Sequence, residues 1–370
     1  MTSWPKIERV ETYVLRVPLS RPISDALYHR THWNIPVTEI STSDGLTGTG
    51  YSGVWAGEDL LCATIDRYLT PQLIGHDATA IGELWEQMYW SPLHWVGRAG
   101  ITHMALGMVD TALWDLAARR AELPLWRMLG GSHRKLETYN TDGGWLNFPM
   151  DQLIADTCAM VSAGWKRVKL KVGSPDLGAD LERVRRVREA LPDGVGIMVD
   201  VNQAWDRVRG REAAPVLADL GVAWVEEPLH PDDIAGHAEL RRVSPLPVAL
   251  GENVYSLEAF AEFVRSSAVD IVQADVTRVA GVTEWLRVAH LAQGNGLWVV
   301  PHAGDMMQVH QHLVAAVGAA AAPMIEYLPW GLEVFQEPVQ VSEGVLTVPD
   351  LPGASSAIAP EARRRWGAKQ

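Results

Sequence analysis

The chain has 370 residues, 47% apolar and 21% charged, a globular balance with length for two domains or a barrel carrying an addition. Acids outnumber bases 45 to 32, for a formal net charge of −13. That acidity argues against non-specific nucleic-acid binding and anionic membrane surfaces, both of which need a basic patch.

Residues 6–17 alternate apolar and polar side chains and predict a strand. Residues 36–43 repeat the pattern and run into Ser43-Asp44-Gly45, a hairpin turn signal. Helical spacing follows near 58–73, 77–90 and 100–121. The last stretch predicts a strongly amphipathic helix, with Ile101, Met104, Ala105, Met108, Ala112, Leu113 and Leu116 on its apolar face. It stops before Leu123-Pro124. An α+β domain over residues 1–130 is expected.

From Lys135 the rhythm changes. Short apolar runs alternate with helical stretches: Leu136–Thr141, Arg167–Val172, Gly196–Val201, Ala223–Glu227, Pro247–Glu252, Asp270–Asp275, Leu297–Pro301 and Met324–Leu328. Eight strands with a helix between each pair, over about 195 residues, predict a closed parallel barrel; an open doubly wound sheet is the alternative. The barrel is bounded at 131–332. The Pro-rich tail, 333–370, is expected to pack back on the first domain.

The strand ends carry a pattern of their own. They hold Lys169-Leu170-Lys171, then Asp200, Glu226, Glu252, Asp275, His302 and Glu326, with gaps of 26, 26, 23, 27 and 24 residues from Asp200 onward. Each alone has an ordinary explanation, such as a helix cap or a solvated face. Together they put one ionisable position per strand on the rim where barrel enzymes keep their chemistry. Asp200, Glu226 and Glu252 offer three hard oxygens on consecutive strands, a set suited to Mg²⁺. Two lysines side by side disfavour double charging, which would leave one as a base near neutral pH. Asp275 is in reach of His302, so a carboxylate would orient an imidazole as a second acid/base group. A metal between two bases suits removal of a proton next to a carboxylate, with the metal holding the enediolate.

These residues resemble the enolase superfamily, most closely its mandelate racemase subgroup and the acid-sugar dehydratases within it. The resemblance rests on Lys169-Leu170-Lys171, Asp200-Val201-Asn202-Gln203, Glu226-Glu227-Pro228, Gly251-Glu252-Asn253, Asp275, Gly281-Val282-Thr283, His302 and Glu326. It extends nearly end to end, through Asp110–Asp115 and Pro349–Gly353. It implies a (β/α)₇β barrel of the TIM type under an N-terminal capping domain. It implies Mg²⁺ on Asp200, Glu226 and Glu252, with Lys171 as one base and Lys169 holding the substrate carboxylate. The Asp275–His302 dyad would be the opposing base or acid, and Glu326 a hydrogen-bond donor to that carboxylate. Thr141 and Asn202 look like further substrate contacts. The family also implies a homo-oligomer acting on a small-molecule carboxylate.

Two departures from the racemase pattern bear on the substrate. The stretch matching its apolar flap is Tyr28–Asn34, where His29, Arg30, His32 and Trp33 would offer polar contacts over the metal. The segment Pro301–Asp305 is more like the dehydratases. Dehydration of an aldonate or aldarate to a 2-keto-3-deoxy acid is therefore the leading expectation. Racemisation or epimerisation of a 2-hydroxy acid is the alternative. A cycloisomerase is disfavoured, since those subgroups usually carry Lys where this strand ends in Asp275.

Some features carry less. Trp supplies 16 of the aromatic residues against 8 Tyr and 4 Phe, so some are expected at a cleft or interface, Trp55, Trp90 and Trp95 among the candidates. Cys62 and Cys158 sit in apolar helical stretches and predict buried, inert thiols. The start of the chain lacks the apolar core of a signal peptide, and no run of roughly 18 apolar residues occurs, so a cytoplasmic protein is expected. Gly48-Thr49-Gly50-Tyr51-Ser52-Gly53 fits a dinucleotide fingerprint but follows a hairpin signal, and is assigned to a hairpin strand. His310 and His312 lie two apart on a helix, so they point apart and do not share a metal.

Overall fold

The computed structural model describes residues 4–302 and 307–368; Ala303, Gly304 and Asp305 of the dehydratase-like segment lie outside them. The chain opens with β1 (Ile7–Ser24), which pairs antiparallel with β2 (His29–Thr42), and β2 pairs with β3 (Thr47–Tyr51). Both long strands exceed the alternating stretches that predict them. The extra length forms a two-stranded arm in which Asn34 faces Arg16 and Arg30 faces Ile23, with a register shift between Pro18 and Ile23. Most of the expected flap loop is thus paired strand. Asp25 closes the arm's tip, its Oδ1 accepting from the backbone N–H groups of Leu27 and Tyr28, both at 2.8 Å. The tip is tied to the barrel by Leu146 N donating to the Ser24 carbonyl at 2.9 Å and by Arg21 pairing with Asp156 at 2.7 Å.

The helix Ile101–Arg120 packs between the first sheet and the barrel. It is not amphipathic as the spacing predicts: Asp110, Thr111 and Asp115 are buried with the apolar side chains. The reason is that both faces are covered. On one side β3 lies so close that a Cβ on Gly48 or Gly50 would run into the carbonyls of Ala112 and Met108. The apparent dinucleotide fingerprint is therefore a pair of close-approach glycines in a hairpin strand. On the other side Asp110 accepts from Thr283 N at 2.9 Å and Thr283 Oγ1 at 2.7 Å.

The eight expected strands all form: β4 (Lys135–Asn140), β5 (Arg167–Lys171), β6 (Gly196–Asp200), β7 (Val222–Glu226), β8 (Val248–Leu250), β9 (Ile271–Val272), β10 (Trp298–Val299) and β11 (Ile325–Tyr327). β4 to β10 pair in chain order and in parallel, and β11 returns to pair parallel with β4, the order of a closed barrel. The strands alternate with helices from Met150–Ser162 to Met307–Val317. Inside the barrel, Tyr139, Met198, Trp224, Ala249, Ile271, Val300 and Met324 pack as one apolar layer. Two residues further along, the inward positions become Thr141, Asp200, Glu226, Gln273, His302 and Glu326. The polar rim is the next layer above the apolar one.

The tail does more than expected. Arg363, in the helix Pro360–Trp366, pairs with Glu11 at 2.6 Å and Glu39 at 3.2 Å, and Ala368 N donates to the Val14 carbonyl at 2.9 Å. It also forms β12 (Val341–Ser342) and β13 (Val345–Thr347), and β13 pairs antiparallel with the start of β4. Cys62 is buried, and burial pushes its thiol up to about 11. Cys158 is only half-buried, contrary to expectation, because its helix lies on the outside of the barrel. His310 and His312 serve separate partners, Val276 N at 3.0 Å and Ser355 Oγ at 3.1 Å. No helix among the described residues is long and apolar enough to cross a membrane.

Candidate active site

The rim residues converge. One oxygen each of Asp200, Glu226 and Glu252 lies within 4.8 Å of the others. β6 and β7 hold the first two in register, since Asp200 and Glu226 are direct parallel partners. Glu252 departs from the period-two rule. Gly251, at φ 155°, stands where a side chain would strike the Gln273 backbone, and the chain turns there to send the next residue inward. The donor set is all carboxylate, with no sulfur or imidazole in it, the chemistry of a hard divalent cation.

Lys169 is 1% exposed and lies between acids, its Nζ 2.7 Å from Glu226 Oε1, 2.8 Å from Glu326 Oε1 and 3.5 Å from Asp200 Oδ2. Lys171 Nζ reaches Asp200 Oδ2 at 2.5 Å. The lysine pair is not the mutually discharging device expected. Burial works against both ammoniums, but Glu226 and Glu326 around Lys169, and Asp200 beside Lys171, hold both above the ordinary lysine range. Burial would likewise raise Asp200, yet the two ammoniums hold it well below the carboxylate range. Glu226 goes the other way, pushed up by burial and by the charge of Asp200.

At the other end of the carboxylate set, His302 Nδ1 is 2.9 Å from Asp275 Oδ2 and its Nε2 is 3.1 Å from Glu252 Oε2. Thr277 fixes Asp275 by donating its N–H at 2.8 Å and its hydroxyl at 2.6 Å to Oδ1. Burial favours the neutral ring, but Glu252 and Asp275 outweigh it and raise His302 to about 10. Asp275 is itself held low by that hydrogen bond despite its burial. Thr141 donates to Glu326 Oε1 at 2.6 Å. Glu326 is thus an acceptor toward Thr141 and Lys169, and donating to a substrate would require it to carry a proton.

Thr141, Asn202, Lys171, Glu252, His302 and Glu326 line one pocket, together with Arg30. The structure does not bring the other flap residues there. His29 and His32 are exposed and share hydrogens with Ser24 and Thr31, while Trp33 is buried in the core beneath the arm. Trp55 reaches the pocket, whereas Trp90 and Trp95 are 65% and 93% exposed elsewhere.

Sequence reasoning missed Asp25, Trp145, Leu328 and Trp330 in the lining, and left Arg278, which stands where the racemase has Lys, without a role. It also gave no role to Glu227, although the Glu226-Glu227-Pro228 motif displays it. At φ 40° Glu227 turns its carboxylate behind the metal set, where it accepts from Asn253 at 2.9 Å and Gln203 at 3.1 Å. Burial and the nearby Glu252 push it well above its ordinary range. Asn202 and Gln203 are left-handed as well, at φ 45° and 66°.

Comparison with known proteins agrees with this geometry. Residues 9–130 match the mandelate racemase / muconate lactonizing enzyme N-terminal domain, and residues 152–362 the enolase C-terminal domain-like family. The chain is 34% identical to the L-talarate/galactarate dehydratase of Salmonella typhimurium over 97% of its own length and 90% of that protein's. It is 35% identical to the 3,6-anhydro-alpha-L-galactonate cycloisomerase of Streptomyces coelicolor over 94% of this chain and 95% of that one. The L-talarate dehydratase of Polaromonas sp. JS666, solved with Mg and L-glucarate, superposes with a TM-score of 0.89 at 34% identity, covering 99% of this chain and 98% of that one. Domain order, rim chemistry and these matches agree: the chain belongs to the enolase superfamily, in its mandelate racemase subgroup.

Proposed function

We propose that the chain is a Mg²⁺-dependent dehydratase of a sugar acid, an aldonate or aldarate. The observation that carries the reading is that Lys171 and His302 stand at opposite ends of the Asp200–Glu226–Glu252 set and line one pocket. Two proton-transfer groups on opposite sides of a substrate suit removal of one proton and delivery of another. Mg²⁺ held by the three carboxylates supplies positive charge against the charge that develops on the substrate carboxylate.

The chain's own residues do the rest. Lys169, braced by Glu226 and Glu326, offers a fixed cation to the substrate carboxylate. Lys171 takes the α-proton. Its ammonium is favoured first by Asp200, with Glu252 and Asp25 adding to the pull; a dication held by Asp200 and Glu252 would offset the two larger of these charges and favour the neutral amine. His302, charged and aimed by Asp275, gives its proton to the β-hydroxyl as the C–O bond breaks and water leaves. The remaining enol tautomerises to the 2-keto-3-deoxy acid. Thr141 keeps Glu326 in place, and Asn202 faces the substrate hydroxyls.

The test is turnover of a sugar-acid panel by the purified protein with Mg²⁺, read as 2-keto acid. Conversion of at least one aldonate or aldarate is expected. No keto acid from any of them overturns the reading. The same two arms fit 1,1-proton transfer, and deuterium uptake from D₂O at the α-carbon without keto acid selects a racemase or epimerase instead.

A further inference from the structure

We propose that Trp285 and His310 are positioning residues for the acid/base pair: from two helices outside the barrel they clamp the peptide groups on either side of Asp275 and so aim its carboxylate at His302. The kinetic consequence rests on the dehydratase reading, and the geometric one on the Asp275–His302 pair alone.

The need for a clamp follows from where β9 ends. The strand is Ile271–Val272 only. Its pairing reaches Val300 N, which donates to the Val272 carbonyl at 2.9 Å, and Gln273 N, which donates to the Leu250 carbonyl at 2.8 Å. Among the described residues no strand pairing continues past Gln273. Asp275 therefore stands beyond the sheet, where neither neighbouring strand fixes its backbone. An imidazole is aimed only as well as the carboxylate that holds it, and a small misplacement of a reacting group is costly.

Two buried rings take over where the ladder stops. The Ala274 carbonyl accepts from Trp285 Nε1 at 2.9 Å, and Val276 N donates to His310 Nε2 at 3.0 Å. Trp285 comes from the helix Val282–Gly294 and His310 from the helix Met307–Val317, and the two rings lie 6.4 Å apart at 35°. Ala274, Val276, Trp285 and His310 are all fully buried, so water does not replace either bond. Burial pushes His310 down to about 4, which keeps the ring neutral at pH 7. With Nε2 accepting, its proton is assigned to Nδ1. Thr277 pins Oδ1 of Asp275 and leaves Oδ2 for His302. Fixing both flanking peptides removes the remaining freedom, rotation of the Asp275 backbone. An apolar side chain would fill the space of His310 but would leave the buried Val276 N–H without its acceptor.

The experiment compares three variants of the Mg²⁺-loaded protein. His310→Leu strands the Val276 N–H, His310→Gln offers it a side-chain carbonyl, and Trp285→Phe keeps a ring but loses the N–H. The first readout is the NMR signal of the His302 Nδ1 proton shared with Asp275, assigned by its absence from His302→Asn protein. It is expected to shift upfield or vanish in His310→Leu and Trp285→Phe and to hold in His310→Gln. The second readout is turnover. In His310→Leu kcat is expected to fall ~10–100-fold, with KM and Mg²⁺ affinity unchanged and most of the rate restored by Gln. A His302 signal that stays in place in His310→Leu and Trp285→Phe overturns the proposal, as does one disturbed equally in His310→Gln. A fall in kcat matched by an equal loss of Mg²⁺ affinity marks general loosening and overturns it too. Trp285→Phe and His310→Gln decide the matter where His310→Leu fails to fold. If no sugar acid is turned over, the dehydratase reading falls, and the NMR comparison, which needs no substrate, still decides this one.

Discussion

Lys169 and Lys171 are two residues apart on β5, yet their neighbours give them different work. Lys169 sits level with the apolar layer and is locked between Glu226 and Glu326, while Lys171 stands one layer higher, opens to the pocket and meets Asp200. Exchange of Lys171 for Ala is expected to cut turnover by ~10²–10⁴-fold, the range for a lost general base, with little change in melting temperature. His302→Asn is expected to stop elimination while deuterium exchange at the α-carbon continues from the Lys171 side; loss of both together would show that His302 takes the α-proton. Asp275→Asn should lower the pKa of His302, because the carboxylate that helps hold it near 10 is gone. The basic limb of the rate profile then moves to lower pH. The rim residues were legible because a side-chain period of two and a steady strand-to-helix pitch both recur in the sequence. Trp145 and Trp330 were not, because they sit beyond strand ends, where no period constrains the path of the chain. The surroundings of the two lysines were hidden for a different reason: their spacing is visible in sequence, but the acids around them come from three other strands.

The arm and the helix Ile101–Arg120 decide how the cap meets the barrel. Alternation located the strands but understated their length, because the bend between Pro18 and Ile23 breaks the pattern without breaking the pairing. The helix was placed correctly and its environment was not, since periodicity shows one buried face and says nothing of a second neighbour. That neighbour can be tested. Asp110 is buried, which pushes its carboxyl up to about 7, and it accepts both hydrogen bonds from Thr283. Asp110→Ala leaves the Thr283 N–H without its acceptor and should cost ~1–3 kcal/mol in urea unfolding. Gly50→Val drives a side chain into the Met108 carbonyl and should cost ~1–3 kcal/mol or more by the same measurement. An unchanged unfolding midpoint in either variant would contradict the close packing described.

For the whole molecule, the carboxylate-rich rim sets how stability depends on pH. Burial alone would lower His302, but Glu252 and Asp275 raise it to about 10 from 6.5, so its contribution is complete below 6.5 and is lost as pH rises through 10. Glu226, raised by burial and by Asp200, acts with the same sign, since its charged form is the disfavoured one. Chelator-treated protein is therefore expected to melt at progressively lower temperature as pH rises across that window. Added Mg²⁺ should raise the melting temperature more at about pH 9 than at about pH 6, because the acids it offsets are then fully charged. An equal Mg²⁺ effect at both values would refute the assignment. The pairing of β13 with the start of β4 has a consequence for synthesis. One edge of β4 is divided, with β13 against Lys135–Glu137 and β11 against Thr138–Asn140. On the ribosome the first barrel strand must wait, half its edge bare, until residues 345–347 emerge. Part of the β4 edge therefore stays bare while some 200 residues are made, the kind of unpaired edge that invites wrong pairing before the fold is complete.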